Sequence, residues 1–132
     1  ACITLNGREG DRMGDVVVTV PKSLWREWLE EGDLAGNLRD GHSEYHFWLA
    51  PPLPLIASGS RVYIVAHGKL RGWAPLIRLE ARCSLRPDRA CLVRRGDAVA
   101  VTIDEPIRGF QGWRWRWWNT RNEHPFPGWQ TP

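Results

Sequence analysis

The sequence predicts an α+β fold: a small, mostly antiparallel β-barrel with one main flanking helix near the N-terminus. Three observations carry that reading. β-branched and aromatic runs recur with turn residues about every ten positions. A single segment, 22–31, shows helical periodicity. Pro and Gly punctuate most of the boundaries between these runs. At 132 residues the chain fits one domain, 1–132, long enough to bury a core without metals or disulfides.

Taken in order, residues 1–12 read as a lead-in or a short edge strand, and Asp15-Val16-Val17-Val18-Thr19-Val20, bounded by Gly14 and Pro21, as a buried strand. Pro21 opens the helix. Leu24, Trp25, Trp28 and Leu29 fall on one helical face, Lys22, Arg26, Glu27 and Glu30 on the other, and Gly32 supplies the stop. The Gly, Asp and Asn of 32–43 predict a surface loop, with room for a helical turn at 34–38. The alternating aromatics of 44–50 predict a strand ended by Pro51-Pro52-Leu53-Pro54. Residues 60–66 and 70–82 flank the turn Ala66-His67-Gly68-Lys69 as a hairpin, with Gly72 and Pro75 marking a bulge or an edge in its second arm. After a loop at 84–90, Cys91-Leu92-Val93 leads through Arg94-Arg95-Gly96-Asp97 into 98–103, a second hairpin signal. Residues 107–118 form an aromatic last strand, and 123–132 a Pro-rich tail.

Composition bounds the function. There are nine Trp, and of the 18 basic residues only Lys22 and Lys69 are Lys. Arg grips phosphate in a fork and stacks on bases, so this usage, with a net charge of +3 and a pI of about 9.1, permits nucleic-acid binding. Cys2, Cys83 and Cys91 are odd in number and lack C-x-x-C spacing, which argues against a disulfide framework or a Cys-rich zinc site and fits a reducing compartment. The first residues carry Gly and charge where a secretory signal needs an apolar stretch, and no run approaches the ~18 apolar residues of a membrane span. The expectation is therefore a cytoplasmic protein without membrane contact.

The most informative segment is Phe110-Gln111-Gly112-Trp113-Arg114-Trp115-Arg116-Trp117-Trp118. In an extended strand Trp113, Trp115 and Trp117 share one face, the better candidate for core, while Arg114, Arg116 and Trp118 share the other. That second face reads equally as a solvated exterior or as a surface that stacks a base and holds its phosphate. Trp25 and Trp48 are further candidate stacking walls. Lys22 and Ser23 sit at the helix start, where backbone N–H groups favour an anion. Arg61, Lys69, Arg71 and Arg78 along one hairpin, with Arg94 and Arg95 on a turn, offer a groove that tracks a nucleic-acid backbone.

Signals for catalysis are thin. His42 and His46 have i, i+4 spacing but run into a strand, which disfavours a metal pair. No spacing singles out a Lys22, Ser23 and Glu44 or Glu80 arrangement, and the adjacent Asp104 and Glu105 point to opposite faces of a strand. There is no phosphate-binding Gly-rich loop, nucleophile elbow or Cys-rich motif. The sequence thus implies no cofactor and no metal, and favours a binding protein over an enzyme.

The order of elements, with Gly59-Ser60-Arg61-Val62-Tyr63-Ile64-Val65-Ala66-His67-Gly68-Lys69-Leu70-Arg71-Gly72-Trp73-Ala74, resembles the strand, turn and return strand of the PUA-like superfamily, which includes ASCH, EVE and YTH domains. Arg95-Gly96-Asp97-Ala98-Val99-Ala100-Val101 matches a later strand of that fold. The resemblance implies a PUA-like pseudobarrel with a cleft for RNA or for a modified base. The ASCH signature after the first helix is unmatched, only Gly32 and Arg39 being reminiscent, which favours a binding module over a hydrolase. The resulting expectation is a nucleic-acid-binding module that holds one RNA or DNA base, modified or not, in an aromatic cleft of Trp25, Trp48 and Trp118. Arg71, Arg114 and Arg116 would grip the backbone, and Lys22 and Ser23 would assist. The alternatives are a small ASCH-like hydrolase of a modified nucleoside and a protein-interaction or dimerisation module; the oligomeric state stays open.

Overall fold

The β-branched runs pair into a curled six-stranded sheet that forms half a barrel, with very little helix among the described residues. The computed structural model describes residues 14–21, 23–26, 44–50, 53–83, 87–95 and 98–126. Its strands are β1 Val16–Thr19, β2 Glu44–Leu49, β3 Arg61–Ala66, β4 Lys69–Glu80, β5 Ala90–Arg95, β6 Val101–Thr102, β7 Trp113–Trp115 and β8 His124–Pro125. The sheet order is β2-β5-β4-β3-β1-β7, and β6 pairs with β8 in a separate ribbon.

β1 runs parallel to β3, Val16 opposite Val62 and Thr19 opposite Val65. A parallel pair is covered on both faces, which is why both strands read as unbroken apolar runs. On one face Val16, Val18, Val62, Leu76, Leu92 and Leu49 pack together, continuing into Val20, Ile64, Ala66, Ala74 and Trp25. On the other, Val17, Tyr63, Val65 and Leu70 are covered by Ile103, Ile107 and Trp118 from the segment after β6.

The first hairpin forms as its residues predict. His67 and Gly68 take φ of 53° and 76°, the two left-handed positions of a tight turn between twisted strands. The bulge expected from Gly72 falls beside it: Ile64 faces Gly72 but Val65 faces Leu70, leaving Arg71 as the extra residue. Beyond Pro75, β4 exchanges β3 for β5, with Leu76 opposite Arg94 and Arg78 opposite Val93. Arg94, expected on a turn, is fully buried within β5 and donates Nη1 to the Arg95 carbonyl at 2.8 Å.

Two expectations are corrected. The second hairpin does not form among the described residues: Val99 instead exchanges backbone hydrogen bonds with Trp73, and β6 turns away to pair with β8. The aromatic last strand keeps only Trp113–Trp115. Within the segment read as a Pro-rich tail, His124–Pro125 form β8. Of the flanking helix, residues 23–26 form one helical turn. The rest of 22–31, the lead-in 1–12, the loop 32–43 and the tail from 127 lie outside the described residues.

Ile64 is fully buried against Trp25 and Ala74. An Ile64→Ala variant is expected to lose about 2–5 kcal/mol in urea unfolding; a loss below about 1 kcal/mol would show that this cluster is not the packed core.

Candidate functional site

The indoles singled out by sequence occupy three separate places. Trp25 is 2% exposed inside the helix-side core, with the Arg71 guanidinium 5.5 Å from its ring. Arg71 is itself buried, donates Nε to the Ala66 carbonyl at 3.0 Å, and has its pKa lowered by desolvation. Trp118 is buried on the opposite face of the sheet, edge-on to Tyr63 at 5.1 Å. Trp48, 51% exposed, stands on β2 at the far edge. The structure therefore joins Trp25 to Arg71 and leaves Trp48 and Trp118 apart from them.

The alternation expected across 113–118 stops at Trp115. Trp113 and Trp115 pack edge to face at 4.9 Å over the core. Arg114 projects outward and lays its guanidinium 4.2 Å from the Phe110 ring. Arg116 folds back: Nε meets Asp15 Oδ2 at 3.2 Å and Nη1 donates to the Trp118 carbonyl. This bend takes Trp118 inward and leaves Trp117 45% exposed. Ser23 is exposed on the helical turn, and Lys22 lies outside the described residues.

The groove that gathers aromatic and basic groups centres on a residue the sequence did not single out, Trp73. It is open, encloses about 450 Å³, and is lined by Arg61, Trp73, Val101, Arg121, Glu123 and His124. β4 presents Trp73 between the small residues Gly72 and Ala74, and the Val99 bridge holds its backbone. Arg61 lays its guanidinium 4.3 Å from the Trp73 ring centre. Arg121 sits exposed in the 3-10 turn Thr120–Asn122, which Asn119 caps by accepting from the Arg121 N–H at 3.0 Å. His124 Nε2 lies 3.0 Å from Asp104 Oδ1.

Beneath the groove, Glu123 is only 6% exposed and holds the pieces together. Its carboxylate accepts from Trp118 Nε1 at 2.8 Å and from Arg61 Nη1 at 3.4 Å, while Arg61 Nη1 also donates to the Tyr63 hydroxyl at 3.0 Å. Burial and the hydrogen bond to Glu123 push the Tyr63 phenol far above its ordinary range, so it remains a neutral donor. With Glu123 engaged in this way, the groove offers an indole face and cationic donors, a set suited to binding a planar anionic ligand.

No family model matches the chain, and neither a curated protein nor a solved structure matches it.

A second constellation lies on β2, β5 and the end of β4. In the strand register His46 faces Val93, Trp48 faces Cys91 and Glu80 faces Cys91, which puts His46, Cys91 and Glu80 on the face opposite Leu49 and Leu92. Cys83, on the connection to β5, is drawn in by its N–H bond to the Arg89 carbonyl at 2.6 Å. One donor atom from each of His46, Glu80, Cys83 and Cys91 lies within 4.8 Å of the other three. Sequence spacing did not reveal this set because three strands and a turn supply it.

Glu123→Ala would leave the Trp118 indole and the Tyr63 hydroxyl without their buried acceptor. It is expected to cost about 1–3 kcal/mol in urea unfolding, with Glu123→Gln retaining part of the stability; an unchanged midpoint in the Ala variant would contradict this role.

Proposed function

We propose that the protein is a nucleic-acid-binding module that stacks one RNA or DNA base in the groove beside Trp73, with Arg61 and Arg121 facing the phosphates. The observation that carries this reading is the half-buried indole with a guanidinium stacked 4.3 Å from its centre, in an open groove that also holds Arg121 and His124. An aromatic face beside cations is the arrangement by which single-stranded nucleic acid is held, since every base offers a π face and every linkage a charge. A groove of about 450 Å³ falls in the size range of pockets that take small ligands. The basic surface continues past Pro125, where the Lys69 ammonium lies 5.8 Å from the Phe126 ring. The PUA-like resemblance of 59–74 supports the same reading, because the strands that carry Arg61 and Trp73 are the ones in which that resemblance lies.

The test is a tryptophan fluorescence titration with short single-stranded RNA and DNA at two salt concentrations. The expected result is saturable, salt-sensitive quenching. Arg121→Glu, at an exposed position, should weaken binding at least about tenfold and reduce the log–log salt slope by about 0.7 or more, the share of one phosphate contact. Trp73→Leu should lose about 1–3 kcal/mol of affinity. The absence of quenching by either polymer, or affinity indifferent to Arg121→Glu, would overturn the proposal.

A further inference from the structure

We propose that His46, Glu80, Cys83 and Cys91 form a structural zinc site that clamps the β2-β5-β4 edge of the sheet. The donor set is two thiols, an imidazole and a carboxylate, the ligand types that select zinc among the common divalent ions. Tetrahedral zinc, with bonds of about 2.0–2.3 Å, separates its ligand atoms by about 3.3–3.8 Å. Four donors already within 4.8 Å of one another need only a small inward adjustment of side chains.

One observation independent of that clustering points to a missing partner. His46 Nε2 is sealed from solvent and has no hydrogen-bond partner, an expensive state for a buried ring nitrogen. Cys91 Sγ lies 3.4 Å from Glu80 Oε1 in a site where both cysteines are fully buried. A divalent cation at the centre would be held by the two sulfurs as thiolates, the imidazole lone pair and the carboxylate oxygen.

The surroundings fit a closed site. Binding releases one proton from each thiol to solvent, so zinc with two thiolates, a neutral imidazole and a carboxylate carries a net charge of −1. Arg78 Nε lies 2.6 Å from Glu80 Oε2 and supplies the balancing positive charge while leaving Oε1 turned toward Cys91. Four protein ligands leave no open coordination position, which marks a structural rather than a catalytic ion. Because the ligands come from β2, β4, β5 and the β4–β5 connection, the ion would cross-link elements that sequence separation keeps apart, and would do so on the side of the sheet away from Leu49 and Leu92.

The test uses the whole chain, purified under reducing conditions, in wild-type form and in a Cys2→Ser background so that Cys83 and Cys91 are its only thiols. The expected results are one zinc per chain by elemental analysis and, after exchange with Co²⁺, a thiolate-to-cobalt charge-transfer band with the visible bands of a tetrahedral centre. Cys83→Ser should abolish the charge-transfer band or halve it, and His46→Gln should weaken Co²⁺ binding at least tenfold. Arg78→Ala, at an exposed side chain, should lower zinc affinity about 10–100-fold. Chelation of the wild-type protein requires no substitution, and it should lower the melting temperature by more than about 5 °C, reversed by zinc. A folded, reduced protein that gives no thiolate–cobalt band, a band unchanged in both Cys83→Ser and His46→Gln, or a melting temperature indifferent to chelation and zinc would each overturn the proposal, as would a Cys83–Cys91 disulfide in metal-free protein.

Discussion

β4 hydrogen-bonds to β3 along its first half and to β5 along its second, exchanging one neighbour for the other around Pro75, Leu76 and Ile77. A strand that changes partners bends the sheet, and a bulge at the exchange increases the local twist. Proline suits this position because its missing N–H is least damaging where one ladder ends and another begins. The exchange is fastened on both sides: the Leu76 N–H donates to the Ser60 carbonyl at 2.8 Å, and the Leu76 side chain is buried with Val62 and Leu92. Both candidate sites hang on this one strand, Trp73 before the bend and Glu80 after it.

The two sites differ in how their polar groups are satisfied. Around Trp73 the buried carboxylate of Glu123 has its donors in place, from Trp118 and Arg61, so the groove stands preorganised before any ligand arrives. Arg61 serves twice, tying β3 to Glu123 with its nitrogen and holding its guanidinium carbon 4.3 Å from the Trp73 ring centre. The donors at the β2-β5-β4 edge contain an unsatisfied ring nitrogen and two buried thiols.

Much of the fold was legible because local chemistry and tertiary structure agree. The Val-rich segment became β1, the aromatic segment became β2, and His67-Gly68 made the turn its residues require. What misled was long-range competition. Residues 98–103 carry a strand pattern, but the edge of β4 at Trp73 and the tail at His124 offered better partners than β5. The Trp and Arg alternation was real for Trp113, Arg114 and Trp115, then failed because Asp15 captured Arg116 and Glu123 captured Trp118. Neither event leaves a trace in the spacing of 113–118. The same applies to the candidate sites: Trp73 meets Arg121 and His124 only through β6 and β8, and His46 meets Cys83 and Cys91 only through strand order. The chemistry of Trp25, Trp48 and Trp118 suits stacking, whereas burial decides which indole a ligand can reach.

In the proposed function, nucleic acid binds at the surface around Trp73. The most direct measurement is a map of backbone amide and indole chemical shifts on adding a short single-stranded oligonucleotide to isotopically labelled protein. The largest shifts are expected at the Trp73 indole and at Arg61, Val99, Val101, Arg121 and His124, with β2 and β5 little changed. Largest shifts on β2 around Trp48, or no shifts at oligonucleotide concentrations that saturate other single-strand binders, would contradict it.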